Sequence, residues 1–90
     1  MMTNKEFTEP IYPCQFQIKV IGENTEKLEK IIVEVMSSFG EVIHPAEIAV
    51  KHSKNEKYLS ITFEIVARSR EYIEQIYSEL SAQKEVKMVL

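Results

Sequence analysis

Ninety residues, 44% hydrophobic and 28% charged, suit a single small domain burying roughly 60 to 65% of its unfolded surface, which leaves no material for a second core. Eleven Lys plus Arg against 14 Asp plus Glu give a net charge of −3, a field that repels phosphate backbones and excludes nucleic acid as an expected partner. No apolar run nears the roughly 20 residues that span a bilayer, the first ten residues lack the apolar core of an export signal, and one cysteine cannot form an internal disulfide. The expectation is a cytoplasmic protein with no membrane contact, held together by packing alone.

Residues 1–13 are charged, carry prolines and show no period, so they predict a flexible N-terminal arm, with one domain over 14–90. From Gln15 to Gly22, Phe16, Ile18 and Val20 alternate with Gln15, Gln17 and Lys19, the pattern of a strand with one dry face, and Gly22 marks its end. Asn24 or Thr25 then caps a helix with Glu23 and Glu26 near its positive N-terminus. Leu28, Ile31, Ile32, Val35, Met36 and Phe39 form its apolar stripe, and Gly40 closes it.

After Pro45, Glu47 to Ser53 alternates with Ile48 and Val50 on one side. The polar break Lys54 to Lys57 separates it from Tyr58 to Ala67, where Leu59, Ile61, Phe63 and Ile65 alternate with Ser60, Thr62 and Glu64, so the two runs predict a hairpin. Asn55 is the residue in that break suited to a left-handed turn conformation. Ser69 offers an N-cap before a helix with Ile73, Ile76, Tyr77 and Leu80 on one face, and Val86, Met88 and Leu90 make a last strand.

Strand, helix, strand, strand, helix, strand is the ferredoxin-like βαββαβ arrangement, an α+β fold with two helices on one face of a four-stranded antiparallel sheet. Its usual order sets the fourth strand beside the first, the first beside the third and the third beside the second. Chain direction then gathers the turn Gly22 to Asn24, the hairpin Lys54 to Lys57 and the turn near Gln83 at one end, with Cys14, His44, Pro45, Ser69 and Leu90 at the other.

The map filters the chemistry. A zinc or copper site needs three or four converging ligands, and one cysteine with two histidines, His52 lying at the opposite end from Cys14, does not supply them, so no metal and no cofactor is expected. Cys14 follows Pro13 at a strand start with no helix N-terminus to activate it. Glu26, Glu29 and Glu34 interleave with Lys27 and Lys30 as a solvated helix face, and neither a phosphate loop nor a nucleophile elbow is present, so no catalytic residues are assigned. The open face of the central strands carries Gln17, Lys19, Ser60, Thr62 and Glu64, whereas an RNA-reading sheet places aromatic rings there. Lys19, Lys51 and Lys87 are read as solvated strand residues.

Tyr12-Pro13-Cys14-x-Phe16-x-Ile18-Lys19-Val20-Ile21-Gly22, Tyr58-Leu59-Ser60-Ile61-Thr62, Ile76-Tyr77-x-x-Leu80 and the terminal Val86-Lys87-Met88-Val89-Leu90 resemble the bacterial YbeD family over nearly the whole of Tyr12 to Leu90. One departure is the hairpin, where relatives tend to carry a glycine and this chain reads Ser53-Lys54-Asn55-Glu56-Lys57-Tyr58. The resemblance implies an ACT-like regulatory protein linked to lipoate by association. If a ligand binds as in ACT domains, the resemblance points to Gly22, Glu23 and Asn24, where backbone amides at a helix start would meet an anionic group that Glu23 would oppose.

The leading expectation is a non-enzymatic regulatory or interaction module that binds a small metabolite or a protein partner as a homodimer. Two alternatives stand beside it: a small thiol-dependent or acyl-handling enzyme using Cys14, and a scaffold that pairs with partners through the edge strand Val86 to Leu90.

Overall fold

The computed structural model describes residues 11–90. Of the arm expected over 1–13, residues 1–10 lie outside the described residues, and the first strand starts at Cys14. The elements are β1 (Cys14–Glu23), α1 (Glu26–Ser38), β2 (Ala49–His52), β3 (Tyr58–Ala67), α2 (Arg70–Ser81) and β4 (Val86–Val89). They form one antiparallel sheet in the order β2-β3-β1-β4, so the ferredoxin-like α+β expectation holds, including the central position of the first and third strands.

Alternation in β1 and β3 turns one set of side chains under the helices, where Ile18, Val20, Ile61 and Phe63 are buried together with Leu28, Ile32 and Met36 of α1 and Ile76 and Leu80 of α2. Each such side chain contributes about 2 kcal/mol of apolar transfer energy, which makes this layer the main source of stability. No polar or charged side chain among the described residues is buried.

Helix ends follow local chemistry. Gly40 adopts φ +82, a left-handed conformation that a Cβ would strain. That flip lets the Gly40 amide donate to the Ser37 carbonyl at 2.9 Å and the Glu41 amide to the Met36 carbonyl at 2.9 Å, which satisfies the last turn of α1. At the start of α2, the Ser69 hydroxyl oxygen accepts from the Tyr72 amide at 3.1 Å, as its N-cap position predicts.

Several local expectations need correction. Of the two candidate caps of α1, Thr25 takes the N-cap position, but its side chain makes no capping hydrogen bond. The second strand is shorter than Glu47 to Ser53, because Pro45 starts a 3-10 turn over Pro45–Glu47 and the pairing strand begins only at Ala49. In the hairpin the left-handed residue is Glu56 (φ 57) rather than Asn55. The Asn55 side-chain oxygen instead accepts from the Lys57 amide at 3.3 Å and from the Ser53 hydroxyl at 3.1 Å, an Asx-type closure that works without glycine.

Leu90 is also displaced from its expected position at the far end of the sheet. It exchanges two backbone hydrogen bonds with Lys19, at 2.8 and 3.1 Å, in the middle of β1, because β4 is four residues long and pairs only with the later half of β1. No helix of the described residues is long and apolar enough to cross a membrane.

Candidate functional site

The turn after β1 is where three chain segments converge. The Glu23 amide donates to the Glu85 carbonyl at 3.0 Å, the Asn24 amide to the Lys57 carbonyl at 3.1 Å, and the Thr25 amide to the Glu23 carbonyl at 2.8 Å. The Asn24 side-chain amide donates to the Glu56 carbonyl at 2.6 Å, so this residue fastens the hairpin to the helix start. Gly22 is buried, and a Cβ there would stand 2.5 Å from the Glu85 carbonyl oxygen and 2.8 Å from a Leu28 methyl. Its small size therefore serves close approach of β4 and α1.

These contacts bear on the ligand expectation at Gly22, Glu23 and Asn24. The amides of Glu23, Asn24 and Thr25, on which anion capture by this turn would draw, are already donated to protein carbonyls. The adjoining hollow of about 630 Å³ is lined by Glu23, Glu26 and Glu85 as well as Lys27 and Lys84, so its carboxylates outnumber its ammoniums.

The other end of the sheet is built differently. Both central strands have ten residues and both outer strands four. Lys19 exchanges hydrogen bonds with Leu90 on the β4 side, so by the two-residue alternation of an antiparallel strand the peptide groups of Gln15 and Gln17 face the same side, beyond the end of β4. On the opposite flank β2 reaches only Thr62 on β3, which leaves the outward peptide groups of Glu64 and Val66 without a strand partner among the described residues. A hollow of about 480 Å³ lies beside that flank, with Gln17, Glu64, Val66 and the loop residues Glu41 and Val42 on its walls.

Cys14 begins β1 at this open end, opposite Ala67, as a half-exposed free thiol. Nearby, the Tyr72 hydroxyl of α2 donates to the Glu41 carboxylate just past Gly40, and the Tyr72 ring stands edge-on to Phe39 at 6.0 Å. Partial burial, then the Glu41 carboxylate accepting its proton, push the Tyr72 hydroxyl up to about 12, with Arg68 over the ring opposing the shift. No group of three or more His, Cys, Asp and Glu side chains among the described residues is arranged to hold a metal ion.

The open face of the sheet carries Gln17, Lys19, Thr62 and Glu64 as register demands, while Phe63 is buried under the helices and Phe16 packs edge-on to Tyr77 at 6.3 Å. Sequence reasoning overlooked Ile21, which faces the open side opposite Ser60 and next to Met88. The signal was present: Ile21 occupies a position in β1 where the alternation Gln15, Gln17, Lys19 calls for another polar residue. Lys87, expected on the open face, is the extra residue of the irregularity between Val86 and Met88.

With this geometry, residues 8–90 match DUF493, a protein family of unknown function. The chain belongs to the DUF493 family. Among its relatives, the UPF0250 protein of Hahella chejuensis is 31% identical over 88 residues, covering 98% of this chain and 97% of the relative. The UPF0250 protein of Vesicomyosocius okutanii is 30% identical over 92 residues and covers both chains fully. The family membership agrees with the YbeD resemblance read from the strand motifs. Among solved structures, protein HP0495 from H. pylori superposes with a TM-score of 0.79 at 21% identity, covering 100% of this chain and 94% of that one. The ACT domain from GTP pyrophosphokinase of Chlorobium tepidum gives a TM-score of 0.66 at 17% identity over 84% of this DUF493 chain and 94% of the domain, so the ACT-like character of the fold is shown.

Proposed function

We propose that this DUF493 protein is a cytoplasmic, non-enzymatic regulatory module that works by binding, and that it pairs with a second copy of itself through the unpaired stretch of β1. The observation that carries the reading is the mismatch in strand length, which among the described residues leaves the peptide groups of Gln15 and Gln17 without a strand partner along a sheet edge. An added strand satisfies such groups directly, and in a two-fold dimer each copy supplies that strand to the other. Its ACT-like fold supports the regulatory part of the reading, since the neighbour from GTP pyrophosphokinase is itself an ACT domain of a larger protein. The effector is a small metabolite or a partner protein, with lipoate and amino acids as the first ligands to titrate by calorimetry, and Gly22, Glu23 and Asn24 as one place to look for them.

Light scattering at micromolar concentration tests the dimer. The expected species has twice the 10.5 kDa mass of the chain. Gln17→Pro removes an outward N–H without removing a β1–β3 hydrogen bond, so it is expected to yield a folded monomer. A wild-type protein that stays monomeric, or a Gln17→Pro protein that stays dimeric, overturns pairing through this edge.

A further inference from the structure

The open sheet face holds a feature that pairing through the edge does not use. Lys19 on β1 is opposite Thr62, and Lys51 on β2 is opposite Ser60, so the two lysines stand on either side of β3. Strand spacing and rise put their Cα atoms on the order of 12 Å apart, and four-carbon stems from both sides let the ammoniums meet above the Ser60 hydroxyl. Both line one hollow of about 310 Å³ together with Ile21, Tyr58 and Ser60. Neither lysine has a carboxylate partner among the described residues. Lys57 lies over the Tyr58 ring at 6.0 Å, adding a third positive charge at the rim. The nearest acidic residues by register are Glu23, opposite Tyr58, and Glu64, two residues beyond Thr62, one toward each end of the hollow.

We propose that this hollow binds a small organic anion with a single carboxylate and an apolar body, the carboxylate held between Lys19 and Lys51 above Ser60 and the body lying on Ile21 and Tyr58. Ile21 is the decisive residue. Apolar surface from Ile21 and Tyr58, with Lys19 two residues before Ile21 on β1 and Lys51 across Ser60 from it, complements an amphipathic anion and not a bare inorganic one. The glutamates at either end disfavour a polyanion such as a nucleic acid backbone. This inference rests on the reading of the chain as a binding module, and it names the ligand class and the place.

The test is an amide-shift NMR titration of the ¹⁵N-labelled full chain with 3-phenylpropanoate, with 3-phenylpropan-1-ol and inorganic phosphate as matched probes. The expected result is saturable shifts at Lys19, Ile21, Lys51 and Ser60, at least tenfold weaker binding of the alcohol and of phosphate, and at least tenfold weaker binding of 3-phenylpropanoate to the Lys19→Gln/Lys51→Gln chain. Lys30→Gln, on the exposed side of α1 and outside the lining of the hollow, is expected to leave binding unchanged. Equal binding of the alcohol, an unaffected double variant, or no shifts at all overturns the proposal. Shifts confined to the Glu23 to Lys27 turn overturn this site while leaving the binding-module reading intact, and light scattering on the same samples reports separately on the dimer.

Discussion

The two ends of this sheet are made from the same two long strands but are finished in opposite ways. At the hairpin end Glu23 is hydrogen-bonded to Glu85 and Asn24 to Lys57 and Glu56, Gly22 packs closely against Glu85, and β1 is flanked on both sides. At the Cys14 end the outer strands have stopped, and the outward peptide groups of Gln15, Gln17, Glu64 and Val66 have no strand partner among the described residues. Stitching closes a surface by using its polar groups internally, whereas an open ladder keeps those groups available to another chain. Pairing with another chain is therefore expected where the ladder is left open, and the largest share of stability where it is closed.

A matched pair of substitutions at opposite ends of β1 should break the comparison most clearly. Gly22→Val drives a branched side chain into the Glu85 carbonyl and Leu28, with an expected loss of about 3 kcal/mol in urea unfolding. Gln15→Val, on the exposed face at the other end, is expected to change stability by less than about 0.5 kcal/mol. Equal effects would erase the distinction between a packed and an open end. For the same reason Gly22 is a poor control residue in ligand titrations, since its replacement disturbs packing.

Tyr72 sharpens the comparison, because it ties α2 to Glu41 just after α1 near the open end. Its hydroxyl is pushed up from 10 to about 12, so the folded state holds that proton more tightly than the unfolded chain does. The stability this contributes is fully present below about pH 10 and is lost as pH rises from there toward about 12. Tyr72→Phe is expected to cost about 1 kcal/mol near neutrality and to flatten the alkaline decline, leaving the part due to Tyr77, which burial also shifts upward. An unchanged alkaline profile would show that neither burial nor the Glu41 contact raises the Tyr72 hydroxyl.

The smallest effect is expected at Cys14. Alkylation should proceed no faster than for a free cysteine in solution, and Cys14→Ser should shift stability by less than about 0.5 kcal/mol, because the thiol is half-exposed at a strand start. Accelerated alkylation would restore the thiol-enzyme alternative.

Much of the fold was legible because its signals are local. Period-two alternation in Gln15 to Gly22 and Tyr58 to Ala67, the stripe from Leu28 to Phe39, Ser69 as an N-cap and Gly40 as a terminator all report on residues within a few positions of one another. Errors arose where a residue's duty depends on a distant segment. Asn24 and Thr25 both have the composition of a cap, and what the local pattern missed is that the Asn24 side chain is bonded to the Glu56 carbonyl, 32 positions away. Glu56 rather than Asn55 takes the left-handed conformation because the Asn55 and Ser53 side chains are occupied in closing the turn.

Sequence by itself determined the element order, the faces that become core and the ferredoxin-like class, since hydrophobic periodicity acts at short range and dictates which side of each element must leave water. Tertiary structure alone decided that Gly22 is a packing residue, that β4 stops halfway along β1, and that Lys19, Ile21, Lys51 and Ser60 share one hollow on the open face. Those facts depend on register and on how long each outer strand stays paired, quantities set by contacts between segments far apart in the chain and therefore invisible to any local pattern.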